Sequence, residues 1–188
     1  MANVPQPQLS RLLGTLLTED SPLGTFIGGT LTDEARMAEM DQQPPIQILP
    51  DVNVLIYSFR KDSTRHAHCK AWLDSLVRGD AQFGISPLTL SALIRIATNP
   101  RIYIQPSPVE EAFAFCDSLL SEPHCEVVRP GLRHWTIFRR TCVEAGVRGP
   151  LVTDAWFAAL AIEHSCAWIT YDRDYARFPG LDWREPLV

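Results

Sequence analysis

The rhythm of apolar and polar positions changes near residue 46 of the chain. Before that point Leu9, Leu12, Leu13, Leu16 and Leu17 recur at helical spacing, which predicts one short amphipathic helix over residues 8–18. Ser21, Pro22, Gly24, Gly28 and Gly29 then break the pattern, and Thr32 stands where it would cap a second short helix over 33–40. Gln42, Gln43, Pro44 and Pro45 form a polar, proline-rich joint. Beyond it, short apolar runs alternate with helical periods. Strands are predicted at 46–49, 81–85, 126–128 and 167–170, with a fifth at 181–184. Helices are predicted at 54–59, 66–77, 88–98, 109–120, 132–145 and from about 153 to 164, the stops being marked by Asn99-Pro100 and Gly146. Strands separated by helices of this length make parallel βαβ units. The prediction is therefore an α/β fold, a three-layer α/β/α sandwich with a mostly parallel four- to five-stranded sheet over 46–188, preceded by an appendage and linker over 1–45.

Composition narrows the function. A chain of 188 residues holds one domain and an appendage. The longest apolar run, Ala155–Ile162, is far below the roughly 20 residues of a membrane span, and the first nine residues lack the pattern of a secretory signal, so a cytoplasmic protein is expected. Five scattered cysteines with no C-x-x-C read as reduced thiols rather than a disulfide frame or zinc site. Seventeen basic and twenty-two acidic residues give a net charge of -5, which argues against binding nucleic acid through bulk charge. Six acids against Arg11 and Arg36 put -4 of this in residues 1–45, leaving the main body almost neutral. Only Lys61 and Lys70 are lysines, so the positive charge is nearly all guanidinium, whose planar fork suits phosphates and bases. The absence of G-K-[ST] and G-x-G-x-x-G excludes phosphate-loop and dinucleotide sites. The five tryptophans read as core or partner-surface residues, with base stacking as the alternative.

In an open parallel sheet, ligands bind beyond the carboxyl ends of the strands. The first predicted strand delivers Asp51 to that edge; the fourth delivers Asp172, with Asp174 two residues on; Asp154 heads the helix between. Each has a bland alternative: a helix cap for Asp154, a turn residue for Asp51, an Asx turn for Asp172 and Asp174. Together they predict a carboxylate cluster, and clustered carboxylates repel unless a cation sits among them. Mg²⁺ or Mn²⁺ suits oxygen ligands and phosphate, and such a site favours phosphodiester hydrolysis.

Four stretches, DVNVLIY at 51–57, LIRIATNP at 93–100, VTDAWFAALAIEH at 152–164 and TYDRDYARFPG at 170–180, resemble the PIN-domain ribonucleases, and among them the VapC-type toxins of bacterial toxin–antitoxin pairs. The resemblance covers about residues 46–188. It implies a Mg²⁺- or Mn²⁺-dependent endoribonuclease of PIN fold, usually a homodimer, acting on RNA and silenced by a VapB-type antitoxin. Carried over by position, Asp51, Asp154 and Asp172 look like the metal-binding catalytic acids, Asp174 like an auxiliary one, and Asn53 and Thr170 like supporting polar positions. One departure stands out: the glutamate that the family commonly places on the third helix is Ala92 here, so Asp174, a Thr89 or Ser91 hydroxyl, or water would have to complete the shell. Arg95, Asn99, Arg101 and Arg173 are the candidate RNA contacts. Residues 1–45 look like the neutralising tail of a VapB-type antitoxin fused to the domain, with Arg36 as the side chain aimed at the acids; a capping appendage without regulatory role is the alternative. A phosphoaspartyl enzyme is disfavoured by Asn53 and by the lack of any lysine after Lys70. A PIN domain disabled by Ala92 and serving as a docking module is the remaining rival.

Overall fold

The computed structural model describes residues 45–187; the expectations for 1–44, Arg36 among them, lie outside the described residues. Five strands, β1 (Ile48–Pro50), β2 (Phe83–Ile85), β3 (Cys125–Val127), β4 (Ala167–Ile169) and β5 (Trp183–Arg184), form one sheet in the order β3-β2-β1-β4-β5. Every neighbouring pair is parallel, with Pro50 opposite Ile169 and Gly84 opposite Glu126. Six helices connect and cover them: α1 (Val52–Phe59), α2 (His66–Arg78), α3 (Pro87–Ala97), α4 (Val109–Leu120), α5 (His134–Glu144) and α6 (Leu151–His164). A short 3₁₀ turn, Arg173–Arg177, follows β4.

Two cores explain the layering. On one side of the sheet Val54, Leu55, Leu73, Leu93, Ala112 and Leu119 of α1–α4 pack over Phe83, Ile85, Ala167 and Ile169. On the other, α6 and the 3₁₀ turn place Ala158, Leu160, Tyr175 and Phe178 over Leu49 and Trp168, with Phe138 and Cys142 of α5 beside them. Successive residues of β4 thus serve opposite cores, as the two-residue period of a strand requires. Central strands must be apolar on both faces, and that is why they read as uninterrupted apolar runs.

Local chemistry sets the helix ends. Asp51 and Ser86 cap α1 and α3 through their side-chain oxygens, with Pro87 supplying a preset first turn. Pro108 occupies the cap position before α4. α5 begins at His134, two residues later than its periodicity suggests, and Leu132 is left fully exposed. α6 ends in a left-handed Ser165. All five cysteines are free, and burial pushes Cys116 up to about 11 and Cys125 and Cys166 up to about 12, so they remain thiols at neutral pH. No helix among the described residues is long and apolar enough to cross a membrane.

Gly84 shows how closely side chains of the neighbouring strand segments close over the middle of the sheet. A Cβ there would lie 2.2 Å from Val128 Cγ2 and 2.8 Å from Leu49 Cδ2, both in buried side chains. Gly84→Ala is expected to cost about 1–3 kcal/mol through overpacking. Urea unfolding measures it, and an unchanged midpoint would contradict the packing described.

Candidate active site

The all-parallel sheet brings the carboxyl ends of β1 and β4 side by side. Because Pro50 pairs with Ile169, the next residues, Asp51 and Thr170, lie abreast although they are 119 positions apart in the chain. The Thr170 hydroxyl donates to Asp51 Oδ2 (2.6 Å), and the Asn53 amide donates to the same oxygen (2.7 Å) and to Thr170 Oγ1 (2.8 Å). The Val52 amide donates to Asp51 Oδ1 (2.6 Å), the cap of α1. Thr170 Oγ1 also accepts from the Asp172 amide (3.0 Å), and Asn53 Oδ1 from the Tyr171 amide (3.3 Å). Asp51 is thereby fixed in orientation and joined through one hydroxyl to the turn carrying Asp172. Asn53 and Thr170 thus hydrogen-bond both to Asp51 and to each other.

Asp51 is 6% exposed. Burial pushes its carboxyl up to about 6, against the pull of the Thr170 and Val52 hydrogen bonds, and the charges of Asp154 and Asp172 push the same way. Asp154 is likewise raised, first by burial and then by Asp172 and Asp174, with Arg177 opposing. The acids from three separate segments therefore lie within electrostatic reach of one another. The helix-cap alternative for Asp154 fails: α6 starts at Leu151, so Asp154 is its fourth residue, and among the described residues its carboxylate has no hydrogen-bond partner. Asp172 does make the Asx turn, accepting from the Asp174 amide (2.8 Å), which leaves Oδ2 uncommitted among the described residues. Asp174 is partly engaged, since Arg177 Nη2 lies 2.6 Å from its Oδ1.

Two residues of this edge escaped sequence reasoning. Tyr175, 2% exposed, feels Asp51, Asp154 and Asp172 and has its hydroxyl held far above the ordinary tyrosine range, chiefly by burial. Arg177 is the cation nearest Asp174; its spacing of three residues on a tight turn is the signal that would have found it.

No three His, Cys, Asp or Glu among the described residues close around a single point. The donors are instead carboxylate oxygens on one wall with surplus negative charge. That chemistry fits a hard dication that keeps part of its water shell and takes further oxygens from a phosphate, not a closed protein cage. At the position of the missing glutamate, Ala92 is half-buried in α3; Thr89 is buried with its hydroxyl unpartnered among the described residues, and Ser91 is exposed.

The proposed RNA contacts fall on two segments, the end of α3 with its following turn and the turn after β4. Arg95 is exposed and not ion-paired among the described residues. Asn99 accepts from the Arg101 amide (2.9 Å) and shapes the turn after α3, with Arg101 exposed beside it. Arg173 reaches Glu185 at 3.6 Å.

On the far side of α6, Glu163 performs a structural task. Its carboxylate accepts from the amides of Gly131 (2.8 Å) and Arg133 (2.9 Å), while the Arg133 guanidinium donates to its carbonyl (2.8 Å). A Cβ at Gly131 would meet the carboxylate at 2.8 Å, so a larger residue there would displace the Glu163 side chain from its amide donors. His134 Nδ1 lies 3.7 Å from the same carboxylate, but burial depresses the imidazole, which sits neutral between Phe138 and Trp156 at pH 7.

Residues 48–181 match the PIN domain family. Ribonuclease VapC31 of Mycobacterium tuberculosis strain H37Rv is 42% identical over 133 residues, spanning 71% of this chain and 94% of that protein. Ribonuclease VapC25 of the same organism is 41% identical over 140 residues, spanning 74% and 99%. Among solved structures, VapBC2 from Rickettsia felis bound to a DNA fragment from their promoter superposes with a TM-score of 0.54 at 17% identity, covering 73% of this chain and 97% of that one, which supports the fold. With a sheet, a helix order and a sequence match that agree over the whole described domain, the chain belongs to the PIN domain family, within its VapC group.

Proposed function

We propose that this chain is a metal-dependent endoribonuclease toxin that cleaves RNA phosphodiester bonds and is silenced by a VapB-type antitoxin. The observation that carries it is the approach of Asp51, Asp154 and Asp172 at one sheet edge, where burial first and the neighbouring acids second raise the pKa values of Asp51 and Asp154. These three would hold Mg²⁺ or Mn²⁺, with Asp174 available once released from Arg177. When bound, the ion supplies charge stabilisation on the scissile phosphate and lowers the pKa of the attacking water. The protein's own part is positional. Thr170, Asn53 and the Val52 amide hold Asp51 rigid, and Tyr175 is anchored in the core beneath the turn that carries Asp172 by its contacts with Trp168 and Phe178. The relatives named ribonucleases support this activity, and the solved VapBC2 assembly supports a VapB-type partner. The protein is proposed to act as a homodimer in the cytoplasm.

Ala92 and the open ligand set favour a second reading, a docking module that has lost catalysis. Calorimetric titration with Mn²⁺, followed by a cleavage assay on structured RNA with the full chain and with a chain lacking residues 1–45, separates the two. Divalent-dependent cleavage, lost in Asp172→Asn, is expected; metal binding without cleavage by either chain would leave only the docking module. Greater activity in the shortened chain would identify residues 1–45 as inhibitory.

A further inference from the structure

We infer that the outer face of α5 and the loop before it form a second RNA-binding surface, distinct from the acid pocket, that grips single-stranded RNA by its phosphates and one stacked base. The inference rests on the ribonuclease reading above. Between Arg129 and Gly149 the chain carries five arginines and one glutamate, while the whole chain has a net charge of -5. Arg129, Arg133, Arg139, Arg140 and Arg148 are all exposed, and none is ion-paired with a carboxylate among the described residues. Arg60, Lys70, Arg173, Arg177 and Arg184 each have an acidic partner, whereas the unpaired cations elsewhere in the described residues, Lys61, Arg65, Arg78, Arg95 and Arg101, are not gathered on one helix with its flanking loops.

Trp135 stands among these arginines, 71% exposed. The helix has an inner face for the core, where His134 and Thr141 are buried and Phe138 and Cys142 pack, so Trp135 is not needed there. An indole held open to solvent beside unpaired guanidinium groups is the combination that binds single strands: stacking is tolerant of base identity, and arginine forks match phosphate. Arg133 and Arg140 also line a cavity of about 410 Å³ with Leu132, Thr136, Ile137 and Ile162. The surface is rigidly mounted, because Glu163 pins the loop at Gly131 and Arg133, and α5 packs with α6, the helix that carries Asp154. An acidic protein partner would also be drawn to the charge, but the exposed indole favours a nucleobase.

The full-length chain carrying Asp51→Asn, which binds without cutting, is titrated with fluorescent single-stranded RNA at several salt concentrations. Arg139→Gln with Arg140→Gln should weaken binding and flatten the salt dependence, the log–log slope falling by about 0.7 for each phosphate that is no longer neutralised. Trp135→Ala should weaken binding about tenfold or more with the salt slope unchanged, and Trp135→Phe should restore most of it. In the cleaving protein the same variants should raise KM for long RNA and leave kcat unchanged. Cleavage with unaltered KM and salt slope in all variants overturns the surface while leaving the nuclease intact. RNA affinity unchanged while binding of an acidic partner protein disappears overturns it in favour of protein docking. Absence of both cleavage and RNA binding in the unmodified chain rejects the ribonuclease reading first.

Discussion

Asp51→Asn is expected to lower divalent-dependent RNA cleavage by at least about 10²-fold while making the protein more stable, relative to the unmodified chain, as pH rises. Both effects come from one cause. Folding buries Asp51 and raises its carboxyl from 3.8 to about 6, so the folded state favours the protonated form. A group raised in the folded state contributes stability that is fully present below about pH 4 and lost as pH climbs through about 6. Above that, the buried charge costs the fold on the order of 3 kcal/mol, which asparagine does not incur. Melting curves of both proteins between pH 4 and pH 7.5 test this: the difference in melting temperature should widen in favour of Asp51→Asn with rising pH. Mn²⁺ should narrow it by stabilising only the chain that retains the acid. A pH-independent difference would show that the carboxylate is not held against its own charge.

Glu163→Ala is expected to cost about 3–5 kcal/mol without touching the acid pocket. It removes the acceptor of two amide donors at Gly131 and Arg133 and leaves them to find water in a segment shaped around a carboxylate. Thermal unfolding should show a fall of about 10 °C. Glu163→Gln keeps one acceptor oxygen but turns an amide towards the second donor, so an intermediate loss is expected. If alanine were tolerated within about 1 °C, the loop would owe its shape to other interactions.

Much of the fold was legible because strand and helix periods, prolines and caps are local signals. α4 falls on the predicted residues, and the sheet is the predicted α/β/α type, parallel throughout rather than mostly. Asp51 and Asp172 were legible for a topological reason, as the first acids beyond adjacent parallel strands. Asp154 was ambiguous, since a carboxylate near a helix start looks like a cap until the true start at Leu151 is known. Tyr175, the Glu163 clamp and the exposed setting of Trp135 could not be read from spacing, because each depends on what another segment places opposite. Leu132 shows the reverse error: its apolar character suggested a helix position, yet it lies outside α5, fully open to water.

The bridge between Thr170 and Asp51 also has a temporal consequence. Its two ends belong to strands separated by nearly the full length of the domain, so the pocket cannot exist until β4 has docked beside β1. A polypeptide folded only as far as α6 holds Asp51 and Asp154 and the local Val52 and Asn53 donors, but lacks both the Thr170 bridge and Asp172. The pocket is thus a late product of folding: its acids meet only through a contact between remote segments, and no local fragment of the domain can hold it.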